Sequence, residues 1–261
     1  TTEHSIDQLK QTVLQLAVMG KLVPQNPNDE PASVLLEKIA AEKEQLIKDK
    51  KIKKQKPLPA ITEDEKPFEL PSTWEWVRLG QSTNYGSSDK LDAKVATPEM
   101  WILELEDIEK VTSKLLKKIR FIDRNFKSSK NIFFKGDVLY GKLRPYLDKV
   151  LVADEDGVCT TEIIPIKAYS SIAPQFLRIL MKSPYFIKYA TNSTHGMSLP
   201  RMGTDKARLA ILPLVPELEQ HRIVKKVNEL MLLCDQLKAK LNQAQTTQLQ
   251  LADTIIEQAV N

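Results

Sequence analysis

The sequence predicts an α+β fold, with a globular domain of mixed helices and strands joined to long coiled-coil-forming helices at both chain ends. Three observations carry this reading. No Gly or Pro follows Pro216 up to Asn261, and apolar residues there recur at alternating steps of three and four. Apolar residues near the start also keep a helical period. Between about Trp74 and Pro213 the pattern changes to short segments rich in Val, Ile, Trp and Thr, bounded by turn residues. The expected organisation is a helical region at 1–56, an extended linker at 57–73, a globular domain at 74–212 and a long helix at 213–261.

At the N-terminal end, Ile6, Leu9, Val13, Leu16 and Ala17 fall on one helical face, and the turn from Gly20 to Pro31 ends that helix. A second helix is expected from about Pro31, capped by Asn28 or Asp29. Val34, Leu35, Ile39, Leu46 and Ile47 are its apolar positions, and Glu44 and Lys48 are an i,i+4 pair. Six lysines lie between Lys48 and Lys56. They read as a solvated helix end or as a contact for phosphate or an acidic partner. Pro57, Pro59 and Pro67 with their polar neighbours predict the extended linker.

In the middle, strands are expected at 74–79, 101–105, 137–140, 149–153 and 159–166, and short helices at 175–181 and 185–190. Two long polar connections, Asn84 to Pro98 and Asn192 to Arg208, are the features most suited to binding, because compact domains rarely keep long irregular loops otherwise. The first holds Lys90 and Lys94. The second holds Asn192, His195, Ser198 and Arg201 among small polar residues. Arg can fork onto guanine, Asn can read adenine, and Ser or Lys can hold phosphate.

In the last helix the seam runs through Val227, Cys234, Leu241, Gln248 and Ile255 on one set of positions. Leu230, Leu237, Ala244, Leu251 and Gln258 form the other. Gln248 either sets register or marks fraying, and Gln258 fits a frayed end. The helix is expected to be roughly 65 Å long at 1.5 Å per residue.

Composition sets further bounds. The chain has 261 residues, 42% hydrophobic and 28% charged, with a formal net charge of +4. This mild basicity permits a nucleic-acid partner without requiring one. Cys159 and Cys234 predict two reduced thiols in a cytoplasmic protein, and no signal peptide or membrane-spanning run is visible. None of the eight glycines forms Gly-x-Gly, which removes dinucleotide and phosphate-loop fingerprints. His4, His195 and His221 lack neighbours at ligand spacing, so no metal site is expected. Asp64-Glu65-Lys66 matches a nuclease pattern only formally, and no catalytic residues are assigned.

Several stretches are similar to the specificity subunits of type I restriction-modification systems, and they follow one another in the order of that family along nearly the whole chain. The first runs from Leu9-Lys10 to Lys21-Leu22-Val23-Pro24-Gln25, and on through Pro27-Asn28-Asp29-Glu30-Pro31 and Leu35-Leu36-Glu37-Lys38-Ile39. Phe68-Glu69-Leu70-Pro71 leads into Trp74-Glu75-Trp76-Val77-Arg78-Leu79-Gly80. Gly136-Asp137-Val138-Leu139-Tyr140-Gly141-Lys142-Leu143-Arg144-Pro145-Tyr146-Leu147 resembles the recognition-domain motif, and Thr160-Thr161-Glu162 the element after it. Leu212-Pro213-Leu214-Val215-Pro216, with Glu219-Gln220 and Ile223, is similar to the exit into the long helix.

The resemblance implies a non-enzymatic, sequence-specific reader of double-stranded DNA. One target-recognition domain would read half of a split site, while the helices set spacing and dock methyltransferase subunits; a restriction subunit would join through the complex. S-adenosylmethionine, Mg and ATP would then belong to partner subunits, leaving this chain without a cofactor. The recognition domain is expected to resemble the small DNA-binding domain of some adenine methyltransferases. Family members carry two recognition domains and this chain carries one, so the length implies a piece of a longer chain or a half-subunit. A half-subunit would pair as an antiparallel homodimer and face a palindromic split site. Lys142 and Arg144 join the DNA-contact candidates on the strength of the motif, with the alternative that Arg144 pairs with Asp148 or Asp137 to brace a turn. Tyr146 is expected in the core. A coiled-coil scaffold with a protein-binding middle domain and a stand-alone nuclease are the competing readings.

Overall fold

A computed structural model of the chain describes residues 2–169, 172–195 and 198–260. Two 17-residue helices open it, α1 (Thr2–Val18) and α2 (Ala32–Lys48). Both stop in the same way. After α1, Gly20 takes a left-handed φ of 70° while Gly20 N–H donates to Ala17 O and Lys21 N–H to Leu16 O. After α2, Lys50 takes φ 57° while its N–H donates to Ile47 O and Lys51 N–H to Leu46 O. These paired bonds satisfy carbonyls that a helix end leaves open. The expected cap of α2 is corrected: Pro31 occupies that position without a side-chain bond, and the buried Asp29 is ion-paired with Arg222.

Residues 57–73 hold one 3₁₀ turn, Glu63–Glu65, and are tied down along their length by one side chain. Arg78 is 2% exposed, and its guanidinium donates to Pro59 O, Ala60 O, Leu209 O and both oxygens of Glu65. A buried guanidinium with this many acceptors is well compensated. The segment is therefore docked against the domain.

The middle of the chain is built on small sheets. β1 (Glu75–Arg78) pairs antiparallel with β12 (Ile211–Leu214), which brings the start and end of the domain together. A five-stranded sheet has the order β2 (Lys90–Leu91), β5 (Lys130–Phe133), β8 (Gly157–Cys159), β3 (Trp101–Leu103), β4 (Ile119–Arg120), with β3 and β8 parallel. Antiparallel β7 (Val150–Val152), β6 (Val138–Gly141) and β9 (Ile163–Ile166) form the third sheet. The expected strand at 159–166 is thus two, separated by a turn closed by Ile163 N–H donating to Thr160 O. Period-two alternation places Trp101, Leu103 and Cys159 in one core cluster and Ile102 and Val158 in another.

Four further helices complete the fold. They are α3 (Leu79–Ser82), α4 (Pro174–Lys182), α5 (Pro184–Asn192) and α6 (Thr204–Leu209), with the short hairpin β10 (Thr194–His195) and β11 (Arg201–Met202) before α6. The largest core cluster joins α1, α2, α4 and α5 to β1, β6, β9 and β12. Helical region and globular domain therefore share one interior.

The last helix, α7 (Glu217–Val260), has 44 residues, which at 1.5 Å per residue is about 66 Å. Its partner over the first half is α1. Lys10 pairs with Asp235, Asp7 with Lys238, and Gln25 beyond α1 reaches Glu219, so the two helices run antiparallel. The predicted seam divides accordingly. Val227 and Cys234 are buried and Leu230 half-buried within the chain itself. Leu237 is 46% exposed, Leu241 is half-buried, and Ala244, Leu251 and Ile255 are exposed. No helix among the described residues is long and apolar enough to cross a membrane.

Candidate nucleic-acid interface

The end of β6 runs into a tight three-residue segment held on both sides. Lys142 N–H donates to Glu162 O at 3.0 Å, and Lys142 O accepts Met202 N–H at 3.1 Å. Leu143 forms a β-bridge with Arg201, and Arg144 N–H donates to Pro200 O at 2.7 Å. Segments 142–144, 160–162 and 198–202, distant in sequence, are thereby fixed beside one another.

Arg144 adopts φ 51°, ψ 65° and caps the 3₁₀ turn Pro145–Leu147, which ends at Asp148 with φ 48°. Left-handed conformations at residues other than Gly cost of order 1 kcal/mol or more each and persist only where the surroundings fix them. Here the bracing comes from below. The buried Asp148 carboxylate accepts from Lys182 Nζ at 2.6 Å, and Lys182 also donates to Ser113 Oγ at 2.7 Å and Val111 O at 2.9 Å. Ser113 Oγ in turn donates to Asp148 O at 2.6 Å. Burial pushes the Asp148 carboxyl up to about 6 against the opposing pull of Lys182, and the same burial lowers Lys182. Arg144 pairs with neither expected carboxylate: Asp148 is held by Lys182, and Asp137 accepts Phe134 N–H.

Two guanidinium groups border this turn. Arg201 Nε donates to both oxygens of Glu162, at 2.9 and 3.1 Å, and its Nη1 to Leu199 O, yet the side chain remains 43% exposed. Among the described residues the Arg144 side chain makes one long hydrogen bond, from Nη2 to Ser198 O at 3.4 Å, and its Nε has no partner. Exposed guanidinium N–H groups can donate to phosphate or to the paired acceptors of guanine. Glu162 is the participant that residue-by-residue sequence reasoning did not single out, and Thr160-Thr161-Glu162 is the signal that would have found it.

The structure brings Lys142, Arg144, Ser198 and Arg201 together. The His195 backbone pairs with Arg201 across β10 and β11, while its side chain, like Gly196 and Met197, lies outside the described residues. Asn192 is exposed at the end of α5. Lys90 and Lys94 are exposed at the outer edge of the five-stranded sheet and in the turn after it. Among the described residues, no hydrogen bond or ion pair joins Lys90, Lys94 or Asn192 to the Arg144 cluster. Tyr146 is corrected from core to surface, at 48% exposure.

Nothing among the described residues groups His, Cys, Asp or Glu side chains as a metal site would need. Glu65 of the nuclease-like triplet is engaged by Arg78, which holds its carboxyl down at about 2. Cys159 and Cys234 are both buried and free, and burial raises the Cys159 thiol.

No family model matches the chain. Among curated proteins it is similar to the Escherichia coli type I restriction enzyme EcoAI specificity subunit, at 38% identity over all of this chain and 46% of that protein. The EcoEI specificity subunit is 34% identical over all of the chain and 46% of its own length, and the EcoDI subunit 29% over 97% and 53%. Among solved structures, the HsdS subunit from Thermoanaerobacter tengcongensis aligns with a TM-score of 0.59 and 26% identity, covering 69% of this chain and 47% of that one. A chain from work on complex assembly and conformational transition of the type I R-M system aligns with a TM-score of 0.60 and 28% identity, over 69% and 47%. The chain spans about half the length of the curated relatives it matches. Over its full length, the chain is homologous to the specificity subunits of type I restriction enzymes, corresponding to about half of one.

Proposed function

We propose that this chain is a non-catalytic DNA-reading unit of a cytoplasmic type I restriction-modification complex. Its globular part, 74–212, is the target-recognition domain and reads one half-site of double-stranded DNA. The helical parts, 1–56 and 213–261, set spacing and dock methyltransferase subunits, with a restriction subunit joining through the complex. S-adenosylmethionine, Mg and ATP are bound by those partners. The observation that carries the reading is the hydrogen-bonded junction of 142–144 with 198–202, which holds Arg144, with its one long side-chain hydrogen bond among the described residues, beside the Glu162-paired and still 43% exposed Arg201. Lys142 and Ser198 join them as phosphate or base-edge contacts, and Lys90, Lys94, Asn192 and His195 extend the surface on either side.

The far half of α7 supports the assembly part of the proposal. Leu249, Leu251, Ile255 and Ile256 are each about 60% exposed or more at its outer end. A second copy packing antiparallel there buries Leu237, Leu241, Ala244, Leu251 and Ile255, while the Val227, Leu230 and Cys234 positions stay with α1. Selection from random-sequence duplexes by the full chain with its methyltransferase partner tests the proposal. Enrichment of a split pattern is the expected outcome; retention of DNA without any enriched bases contradicts it.

A further inference from the structure

Away from the Arg144 cluster, the start of the docked linker folds over α2 and α6 and borders a partly open pocket of about 180 Å³, with Ile47, Ile52, Pro57 and Leu58 as its apolar lining. At a liquid share of about 30 Å³ per water, this is room for a phosphate group with part of its hydration. Its charged lining residues are Lys43, Lys53, Lys56 and Arg208, and none of the residues lining it is acidic. Lys53 and Lys56 come from the lysine run and are exposed, whereas Lys43 and Arg208 are half-buried. The two half-buried cations are held in place. Lys43 Nζ donates to Gly80 O at 3.1 Å and Gln81 O at 3.2 Å, and Arg208 Nη2 donates to Gln55 Oε1 at 2.7 Å. Arg208 lies directly on the Gly80 backbone, where an added Cβ would sit 2.9 Å from Arg208 Cβ and 3.0 Å from its Nε. That Nε is buried without a hydrogen-bond partner among the described residues. Cations gathered around an open volume, with an unused buried donor, form a site for an anion.

We infer that this cavity binds a DNA backbone phosphate, as a second contact beyond the Arg144–Arg201 surface. The inference rests on the DNA-reading proposal. DNA is favoured over an acidic protein because Arg208 is the fifth residue of α6, the helix that directly follows the reading hairpin, about 6 Å along its axis from Thr204 at 1.5 Å per residue. A duplex presents a charge about every 1.7 Å of its axis, so one molecule reaches both places. A phosphate held here adds affinity and register but no base preference.

The test uses the full chain and measures binding to a fixed duplex across a salt series. The double variant Lys53→Gln/Lys56→Gln alters only exposed side chains, and Arg208→Gln alters the inner donor, with thermal melting as the fold control. Each is expected to weaken binding equally for unrelated duplexes and to reduce the slope of log affinity against log salt by about 0.9 per lost phosphate. Inorganic phosphate, followed by NMR, is expected to shift the Lys43 and Arg208 side-chain signals and to be displaced by duplex. If wild type binds DNA and both variants keep its slope, this inference is overturned while the DNA-reading proposal stands. If the chain binds no DNA, that proposal fails. Phosphate signals that persist when duplex is bound would assign the cavity to free phosphate or a protein partner and overturn the inference.

Discussion

Asp148 shows how much of the candidate interface depends on a residue that touches no ligand. Its backbone reverses the chain in a left-handed conformation while its carboxylate is buried against Lys182. A carboxyl at about 6 in the fold and near its ordinary value when unfolded binds more protons in the native state between roughly pH 4 and 6. Its contribution to stability is therefore fully present below the unfolded value and is lost as pH rises through about 6. Asp148→Asn, which tolerates the left-handed backbone, is expected to abolish this inflection in denaturant midpoints measured from pH 4 to 7. A midpoint curve identical to wild type would disprove it. The sequence offered no view of this pair, since 34 positions separate Asp148 from Lys182. It did single out Lys142 and Arg144, through a motif on which segments 160–162 and 198–202 fold back. Arg144 was legible as a residue type, but its freedom from carboxylates was not. Tyr146 went astray because aromatic character suggests burial, and here the turn that Asp148 closes leaves it outside.

Elements with long regular signals were readable, and short ones were not. The long helix followed from a heptad pattern interrupted at Gln248 and Gln258 and from a run without Gly or Pro, and β1, β3, β6 and β7 from branched and aromatic runs. β2 and β4 have two residues each, too few for any period to register. β12 carries Pro213, which argues against a strand, yet it pairs only with β1 and sits in a two-stranded sheet where a missing donor is tolerated. Seam periodicity also said nothing about which helix would cover it, and α1 of the same chain proved to be the partner of Val227 and Cys234. The junction from domain to α7 rests on two side chains that sequence reasoning took as motif letters. Glu219 accepts from Trp74 Nε1 and Gln25, and Gln220 both accepts Ala173 N–H at 2.9 Å and donates to Val215 O at 2.9 Å. Gln220→Ala strands those two backbone groups in a buried site. A loss of about 1–3 kcal/mol in unfolding free energy is expected, and an unchanged denaturation curve would remove the junction from this account.

At the scale of the whole molecule, one interior binds the first two helices to the globular domain and takes in Val215, Ile223 and Val227 at the base of α7. A shared core of this kind is what the proposed spacer role requires, because a distance between two half-sites is only as fixed as its weakest joint. The outer end of α7, by contrast, leaves Leu249, Leu251, Ile255 and Ile256 uncovered within the chain. Leu251→Glu introduces charge into that seam and is expected to convert a dimer to a monomer in solution mass measurements, with the melting of the globular part unaltered. An unchanged dimer mass would exclude this stretch as the interface.

The central claim is that two arginines, brought together by a β-bridge between distant segments, grip a duplex. Its most direct check is the salt dependence of duplex binding by the full chain, compared with Arg144→Gln. Wild-type affinity should fall steeply with salt, and the substitution should flatten the log–log slope by about 0.9 if Arg144 neutralises one phosphate, or relax selectivity at one base pair by about 1–3 kcal/mol if it forks onto guanine. Affinity, slope and selectivity all unchanged in the variant would contradict the claim.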